Sequence, residues 1–202
     1  MDNTLISNQP VNLLRAKGLE IFHRKGYYGT SDEELFEKLM ISREEFKSHF
    51  TSKEDFFIGI LENLVLQRMQ KFLIEPLSHK QSPFPLILEA FGNAINVAIA
   101  NESDRGSMLG NFINEFAGKN VRISKHLRDI IRIWEVNIIS LLKKGMNDGF
   151  INPHVDCEAA ADFILASYFG TRTLMTLGNK TALKHSFNRQ LSSYFYSLAR
   201  TE

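Results

Sequence analysis

Cysteine, proline and tryptophan are scarce in this 202-residue chain, which contains one, five and one of them, respectively. The single thiol, Cys157, excludes an internal disulfide framework and fits a reducing compartment, so we expect a cytoplasmic protein. The first residues show no basic segment followed by an apolar one, and a signal peptide is not expected. No apolar run approaches the roughly 18 residues of a membrane span, which predicts that no membrane is involved.

An excess of charge of either sign is also missing. The net charge is +1, with 44% hydrophobic and 23% charged residues, as in ordinary globular proteins. Residues 1–55 contain eight Lys or Arg and ten Asp or Glu, a net charge of −2. Because phosphate neutralisation supplies most non-specific affinity for DNA, composition alone does not indicate a nucleic-acid partner.

Patterns that would support catalysis are absent as well. The six histidines show no H-x-x-x-H metal spacing, and GSMLG at 106–110 is not a G-x-S-x-G nucleophile motif. Asp156 and Glu158 flank Cys157 and would raise its pKa rather than activate the thiol. We therefore expect no enzyme, no metal site and no cofactor.

Helical spacing of apolar residues is present almost throughout the chain. In the N-terminal part, Gly26 ends the first helix, Thr30 or Ser31 caps the second, Ser42 the third and Ser52 the fourth. Short turns between these helices predict a helix-turn-helix unit. The predicted ranges are 10–25, 31–39, 42–50 and 52–74.

A proline-containing loop, EPLSHKQSPFP, precedes five further predicted helices. Their ranges are 84–101, 107–117, 121–148, 156–177 and 182–199. The sequence thus predicts an all-α protein of about nine helices, with an N-terminal domain over 1–55 and a larger C-terminal domain over 56–202.

Two stretches, LLRAKGLEIFHRKGYYGTS and ISREEFKSHFTSKEDFF, resemble the N-terminal domain of TetR/AcrR-family transcriptional regulators. GSMLGNFINEFA, Trp134 and LKKGMNDGFIN resemble the ligand-binding domain of one branch of that family. The N-terminal resemblance rests on an ordered set of residues: Leu19, Ile21, Phe22, Gly26, Tyr27, Thr30, Ser31, Ile41, Ser42, Phe46, His49, Phe50, Ser52, Lys53 and Glu54.

The resemblance implies that the helix at 42–49 enters the major groove of a palindromic double-stranded DNA operator. The hydroxyl and N–H groups at helix N-termini suit phosphate oxygens, as does Lys53 in a first helical turn. The candidate DNA-binding residues are Thr30, Ser31, Ser42, Arg43, Glu44, Lys47, His49 and Lys53.

Several positions depart from the family pattern. The family usually has a small residue at Phe36, Gly at Met40, Gly or Thr at Glu44 and Glu45, and often Tyr at Lys47. The two glutamates would repel phosphates, although Glu can also read a base by accepting from cytosine N4. A module of the same fold whose DNA face has degenerated, binding a small molecule or a protein, is the alternative.

Aromatic side chains and two amides in the C-terminal part suit a small apolar or aromatic effector, with plain core packing as the alternative for each residue. The candidate ligand-binding residues are Phe72, Ile95, Asn111, Phe112, Phe116, Trp134, Asn137 and Tyr168.

The last two predicted helices are apolar on more than one face, which indicates either a large core or a shared interface. They also carry small residues at Ala159, Ala160, Ala161, Ala166 and Gly170. The resemblance implies a homodimer joined by a four-helix bundle. We interpret the sequence as a ligand-responsive transcriptional regulator, with a repressor released from its operator by its effector as the favoured form.

Overall fold

A computed structural model describes residues 9–70, 82–100 and 105–200. These residues form nine helices and no β-strand beyond a single antiparallel bridge between Ile151 and Ala199, which confirms the predicted all-α fold. The helices are α1 (Gln9–Lys25), α2 (Asp32–Leu39), α3 (Arg43–His49), α4 (53–69), α5 (Pro83–Ala100), α6 (Met108–Phe116), α7 (Val121–Asn147), α8 (Cys157–Leu174) and α9 (Lys180–Leu198).

Serine side chains cap three consecutive helices, which confirms the predicted caps Ser42 and Ser52 and selects Ser31 over Thr30. The hydroxyls of Ser31, Ser42 and Ser52 each accept a hydrogen bond from the backbone N–H three residues later. Each cap satisfies an N–H group that has no partner within its helix. The turn from α2 to α3 passes through Met40, which has a left-handed φ of 62°.

Helix α4 changes its hydrogen-bonding pattern part-way along. It is α-helical over Lys53–Ile60, π-helical over Leu61–Val65 and α-helical again over Leu66–Met69. The Asn63 side chain donates to the Gly59 carbonyl oxygen at 2.9 Å, beside this wider turn. The end predicted for α4, near residue 74, lies outside the described residues.

The chain divides into two compact units, each formed by non-contiguous segments. Unit 1 comprises Met1–Gln67 and Asn111–Arg128, and unit 2 comprises Arg68–Gly110 and Asp129–Glu202. Helices α6 and α7 therefore contribute residues to both units. The predicted domain boundary after residue 55 stays a prediction, because a division by contacts does not show which segment folds independently.

The core of unit 1 is aromatic. Its ring centroids lie 4.6 to 6.1 Å apart. Gly18 of α1 faces this core, and a Cβ atom there would come within 2.4 Å of the Phe56 ring, so α1 approaches α4 closely only because residue 18 is glycine. The members of this unit 1 aromatic cluster are Phe22, Tyr27, Phe46, Phe50, Phe56, Phe57, Phe112 and Phe116.

The core of unit 2 is built from α5, the C-terminal part of α7, α8 and α9. Helix α5 packs against α9, where Phe84 and Phe195 stack at 4.7 Å. The unit 2 aromatic cluster consists of Phe91, Trp134, Tyr168, Phe169 and Phe187.

Helix α5 corrects the expectation that no apolar segment approaches the length of a membrane span. Its 18 residues are long and apolar enough to cross a membrane by length and composition alone. That is a weak indication, because core helices of globular proteins pass the same test. Buried residues of α5, among them Ile87, Phe91 and Ile95, belong to the core of unit 2.

Candidate functional site

Helix α3 presents nearly all its polar side chains outward. Phe46 is the buried residue of the helix, and its ring lies 4.9 Å from Phe36, 5.1 Å from Phe50 and 5.4 Å from Phe56. A seven-residue helix is marginal by itself, so this aromatic anchor holds it in place. The exposed residues are Ser42, Arg43, Glu44, Glu45, Lys47, Ser48 and His49.

The exposed surface of α3 carries charges of both signs. Hydrogen bonds from its own backbone N–H and from Ser42 lower the pKa of the Glu44 carboxyl, which is therefore ionised at neutral pH. Arg43 lies 3.4 Å from Glu33 of α2, an exposed pair of little energetic weight. Lys47 is also exposed on this surface.

The segment before α2 contains one exposed and one buried candidate. The Ser31 hydroxyl is exposed and accepts from the Glu34 N–H at 3.1 Å. Thr30 is fully buried, and its hydroxyl donates to the Gly26 carbonyl oxygen at 2.8 Å. Thr30 thus stabilises the turn between α1 and α2 from inside unit 1.

Lys53 is mostly buried, whereas a lysine that contacts phosphate would be exposed. Its side chain is only 18% exposed, and Nζ donates to the Thr30 carbonyl oxygen at 2.7 Å and to that of Tyr27 at 3.4 Å. The ammonium lies 4.6 Å from the centre of the Tyr27 ring, and Asp32 is 3.8 Å away. Burial is the main cause that raises the pKa of Tyr27 to about 12, so a neutral ring faces Lys53.

The described candidate ligand-binding residues belong to two different units, and their role stays a prediction. Phe112 and Phe116 are core residues of unit 1, where both rings contact Phe57 at 4.9 and 5.1 Å. Ile95, Trp134 and Tyr168 are buried in unit 2. Sequence periodicity cannot separate these groups, because α6 and α7 supply residues to both units.

Trp134 is the centre of the unit 2 aromatic cluster. Its indole stacks on Phe91 at 5.2 Å with a 13° angle between the planes, and meets Tyr168 edge-on at 5.3 Å. The amide of Asn137 donates to the Ile133 carbonyl oxygen of its own helix at 2.7 Å. Asn111 is exposed, and Phe72 lies outside the described residues.

One buried charged residue was missed by sequence reasoning. Arg172 is 9% exposed and is the only charged side chain in the buried core among the described residues. The spacing of the sequence indicates this burial, because Ile164, Tyr168 and Arg172 follow one another at four-residue intervals on the buried face of α8. A single arginine continuing an apolar stripe therefore marks a place where the core accommodates a charge.

Large apolar side chains on α8 and α9 are exposed, beside the small residues singled out from the sequence. Phe163, Leu174 and Tyr196 are 45%, 52% and 87% exposed, respectively. Ala166 and Gly170 are exposed as well, so the backbone of α8 is accessible between the larger residues. Such a surface suits close packing with another helix.

The matches to known proteins agree with this architecture. Residues 85–191, just over half of the chain, match the family model of the tetracyclin repressor-like C-terminal domain. The chain belongs to the TetR family. Both the resemblance inferred from the sequence and the predicted fold are thereby confirmed.

Relatives of this TetR-family protein are distant in sequence. The HTH-type transcriptional repressor DhaR of Mycobacterium sp. (strain GP1) is 23% identical, with 76% of each chain covered. A TetR transcriptional regulator from Chloroflexus aurantiacus J-10-FL has a TM-score of 0.82 at 21% identity, covering 96% of this chain and 98% of that one. FadR from Bacillus subtilis, in complex with stearoyl-CoA, has a TM-score of 0.69 at 15% identity, covering 88% and 95%. The protein is thus a TetR-family transcriptional regulator with a repressor among its homologues.

Within unit 1 of this TetR-family protein, polar contacts join the helix-turn-helix to the junction of α6 and α7. Glu54, in the first turn of α4, accepts from the Asn120 amide at 2.8 Å and from Arg122 at 3.2 Å. Glu115 of α6 accepts from the Tyr28 backbone N–H at 2.9 Å. The helix-turn-helix is therefore joined to α6 and to the start of α7 within unit 1.

Proposed function

We propose that the protein is a homodimeric repressor that binds a palindromic DNA operator through α3 and is released by a small apolar or aromatic effector. The observation that carries the proposal is the form of α3. It is capped by Ser42, anchored by Phe46 and exposes its remaining polar side chains. A short second helix with this presentation is how a helix-turn-helix reads base edges in the major groove.

Different residues of the interface have different roles in this proposal. Ser31 and Ser42, with the N–H groups of the first turns of α2 and α3, face phosphates, as helix N-termini do. Lys47 contacts a phosphate, whereas Arg43 and His49 contact the backbone or base edges. Thr30 and Lys53 support the turn before α2, because their polar groups already bind backbone oxygens inside unit 1.

Glu44 has two possible roles in this proposal, and an experiment can distinguish them. An ionised carboxylate near the N-terminus of a recognition helix either repels phosphates or accepts a hydrogen bond from cytosine N4. In the first case, replacing it by glutamine strengthens binding to every sequence, and more so at low salt. In the second, the replacement weakens the cognate site by about 1–3 kcal/mol and relaxes one base position.

The experiment is a selection from a random duplex library, followed by titration of the selected site at two salt concentrations. The variants are Glu44→Gln and Lys47→Ala, with Lys125→Ala, an exposed lysine of α7, as the control. We expect Lys47→Ala to weaken all sequences alike and to reduce the salt slope by about one. Lys125→Ala should behave as wild type.

The alternative function has a specific observation in its favour, the exposed acidic pair Glu44 and Glu45. If wild type enriches no sequence even at low salt, and Lys47→Ala equals Lys125→Ala, the DNA-binding proposal fails. The protein would then be a TetR-like module that binds a small molecule or a protein through a degenerate face.

Release by an effector requires a path from unit 2 to α3. In the proposed mechanism, effector binding shifts α4, and the distance between the two recognition helices of the dimer changes. These must lie about 34 Å apart to enter successive major grooves, so a small pivot abolishes binding. FadR, a protein of the same fold, is in complex with stearoyl-CoA, whose acyl chain supports an apolar group in a ligand of this fold.

A further inference from the structure

We propose that the effector is a monocarboxylate with an apolar or aromatic body, and that Arg172 binds its carboxylate beside Trp134. The inference rests on the proposed function, because it names the ligand class of the effector site in unit 2. It is carried by two buried polar groups whose hydrogen-bonding capacity the described chain does not use.

Arg172 is the first of these groups. Its Nη2 donates to the Gly106 carbonyl oxygen at 2.7 Å and its Nη1 to the Tyr168 hydroxyl at 3.2 Å, and both acceptors are neutral. No carboxylate of the described residues forms an ion pair with it. A buried guanidinium without a counter-charge is unfavourable, and these two hydrogen bonds use two of its five N–H donors. An arriving anion supplies the missing charge.

Trp134 is the second group. The indole is 2% exposed, and its Nε1 has no hydrogen-bond partner among the described residues. Buried donors are nearly always satisfied in folded proteins, so an orphaned one calls for an explanation. A ligand oxygen provides the missing acceptor.

Tyr168 brings the two groups into one neighbourhood. Its ring lies 5.3 Å from the Trp134 ring and 5.9 Å from the Arg172 guanidinium carbon. The hydroxyl stays neutral, because burial raises the pKa of Tyr168 more than Arg172 lowers it. The surrounding rings of Phe91 and Phe169 suit an apolar or aromatic body.

The charge count selects a carboxylate rather than a phosphate. A guanidinium binds a carboxylate through two parallel hydrogen bonds, and one positive charge neutralises one carboxylate. A phosphate monoester carries about −1.5 to −2 charges at neutral pH, so a single buried arginine would leave part of that charge unpaired.

Binding at Arg172 also has a route to regulation. Its hydrogen bond to the Gly106 carbonyl oxygen holds a turn two residues before the start of α6, where Gly106 adopts a left-handed φ of 73°. A carboxylate that draws the guanidinium away from the Gly106 carbonyl oxygen frees this turn. Ser107 and then helix α6 follow this turn, and the residues of α6 from Asn111 onward belong to unit 1.

The test compares acids with their methyl esters, which have the same body and no charge. Benzoate, cinnamate and decanoate, each with its methyl ester, are titrated into the full-length protein. Fluorescence of Trp134, the only tryptophan, and thermal unfolding report binding. We expect wild type to bind at least one acid about 10- to 100-fold more tightly than its ester, the range of a hydrogen-bonded charge.

Variants separate ligand recognition from a purely structural role. Arg172→Gln should remove the preference for acid over ester while the ester still binds, and Arg172→Lys should restore it in part. Arg189→Gln, an exposed arginine on α9, is the matched control and should keep the wild-type preference. A structural role alone would change stability and leave the acid-to-ester ratio as it was.

Three results overturn the proposal. One is that no acid of the panel binds, and another is that esters bind wild type as well as acids. The third is that Arg172→Gln keeps the acid preference. Operator release by a neutral compound would leave the proposed function intact while this inference fails.

Discussion

At the scale of single residues, Lys53 stabilises the fold by donating hydrogen bonds to the carbonyl oxygens of Tyr27 and Thr30, without any contribution from DNA. We expect Lys53→Met to lower the free energy of unfolding by about 1–3 kcal/mol, because two carbonyl oxygens lose a charged donor. Lys47→Met, at an exposed position, should change it by less than about 0.5 kcal/mol. Urea unfolding of both variants measures the difference. Equal stabilities would mean that the Lys53 contacts contribute nothing.

Met40 is the second residue with a measurable effect, because it adopts a left-handed conformation. A non-glycine residue there costs about 1–2 kcal/mol, whereas glycine loses about 0.5–1 kcal/mol more backbone entropy on folding. The side chain is 83% exposed, so little packing is lost on truncation. We expect Met40→Gly to raise stability by up to about 1 kcal/mol, measured by thermal unfolding.

The control for this prediction is Met40→Ala, which keeps the Cβ atom and therefore the strain. It should unfold within about 0.5 kcal/mol of wild type. A gain as large as that of glycine would show that exposure of the methionine, and not the backbone, was the cause.

Single residues also show what the sequence could and could not predict. Ser42 and Ser52 were predicted as caps, and Ser31 as one of two candidates with Thr30, because capping depends on residue type and local position. The burial of Lys53 and Arg172 was not predicted, because it depends on contacts with Thr30 and Gly106, which are 23 and 66 residues away along the chain. A pattern that lists residue types contains no such distances.

At the scale of helices, Asn120 joins α7 to α4. Its side-chain oxygen accepts from the Ile123 N–H at 2.8 Å, capping α7, while its amide donates to Glu54. We expect Asn120→Ala to destabilise the protein by about 1–2 kcal/mol, since it loses a cap and a partly buried hydrogen bond. Chemical denaturation measures the loss.

Arg122 provides the comparison for this helix contact, because it meets the same glutamate from an exposed position. Arg122→Ala should cost less than about 1 kcal/mol, and the cost should shrink as salt is added. If both variants lose the same stability, the cap and the hydrogen bond of Asn120 contribute no more than the exposed ion pair of Arg122.

Helix ranges were predictable, whereas the change of pattern inside α4 was not. Apolar positions 56, 57, 60, 61, 64 and 65 gave the expected helical spacing. The π-helical turn over Leu61–Val65 rotates the buried face of the helix by a fraction of a turn. The sequence does not indicate this rotation, because apolar residues occur on both sides of it.

At the scale of the whole molecule, the exposed apolar surface of α8 and α9 predicts a homodimer. Light scattering at micromolar concentration should give twice the chain mass. Leu174→Arg should give a monomer, because it places a charge within the apolar surface. Val121→Arg, at an 85% exposed apolar position on α7, is the control and should remain dimeric.

The monomeric variant also tests the operator model. A palindromic site requires two recognition helices, so Leu174→Arg should lose operator binding. The variant should still unfold cooperatively on heating, with the stability of a subunit that has no partner. A wild-type protein that remains monomeric at all concentrations would exclude two-fold symmetric recognition.

The division into non-contiguous units has a consequence for the order in which the protein is made. Residues up to 67 leave the ribosome first, yet Phe112 and Phe116, which complete the core around Phe57, come later. At about 5–20 residues per second, the remaining stretch to residue 128 takes on the order of 3–12 s to synthesise. During that interval the nascent helix-turn-helix exposes aromatic surface, and a truncated N-terminal fragment would do so permanently.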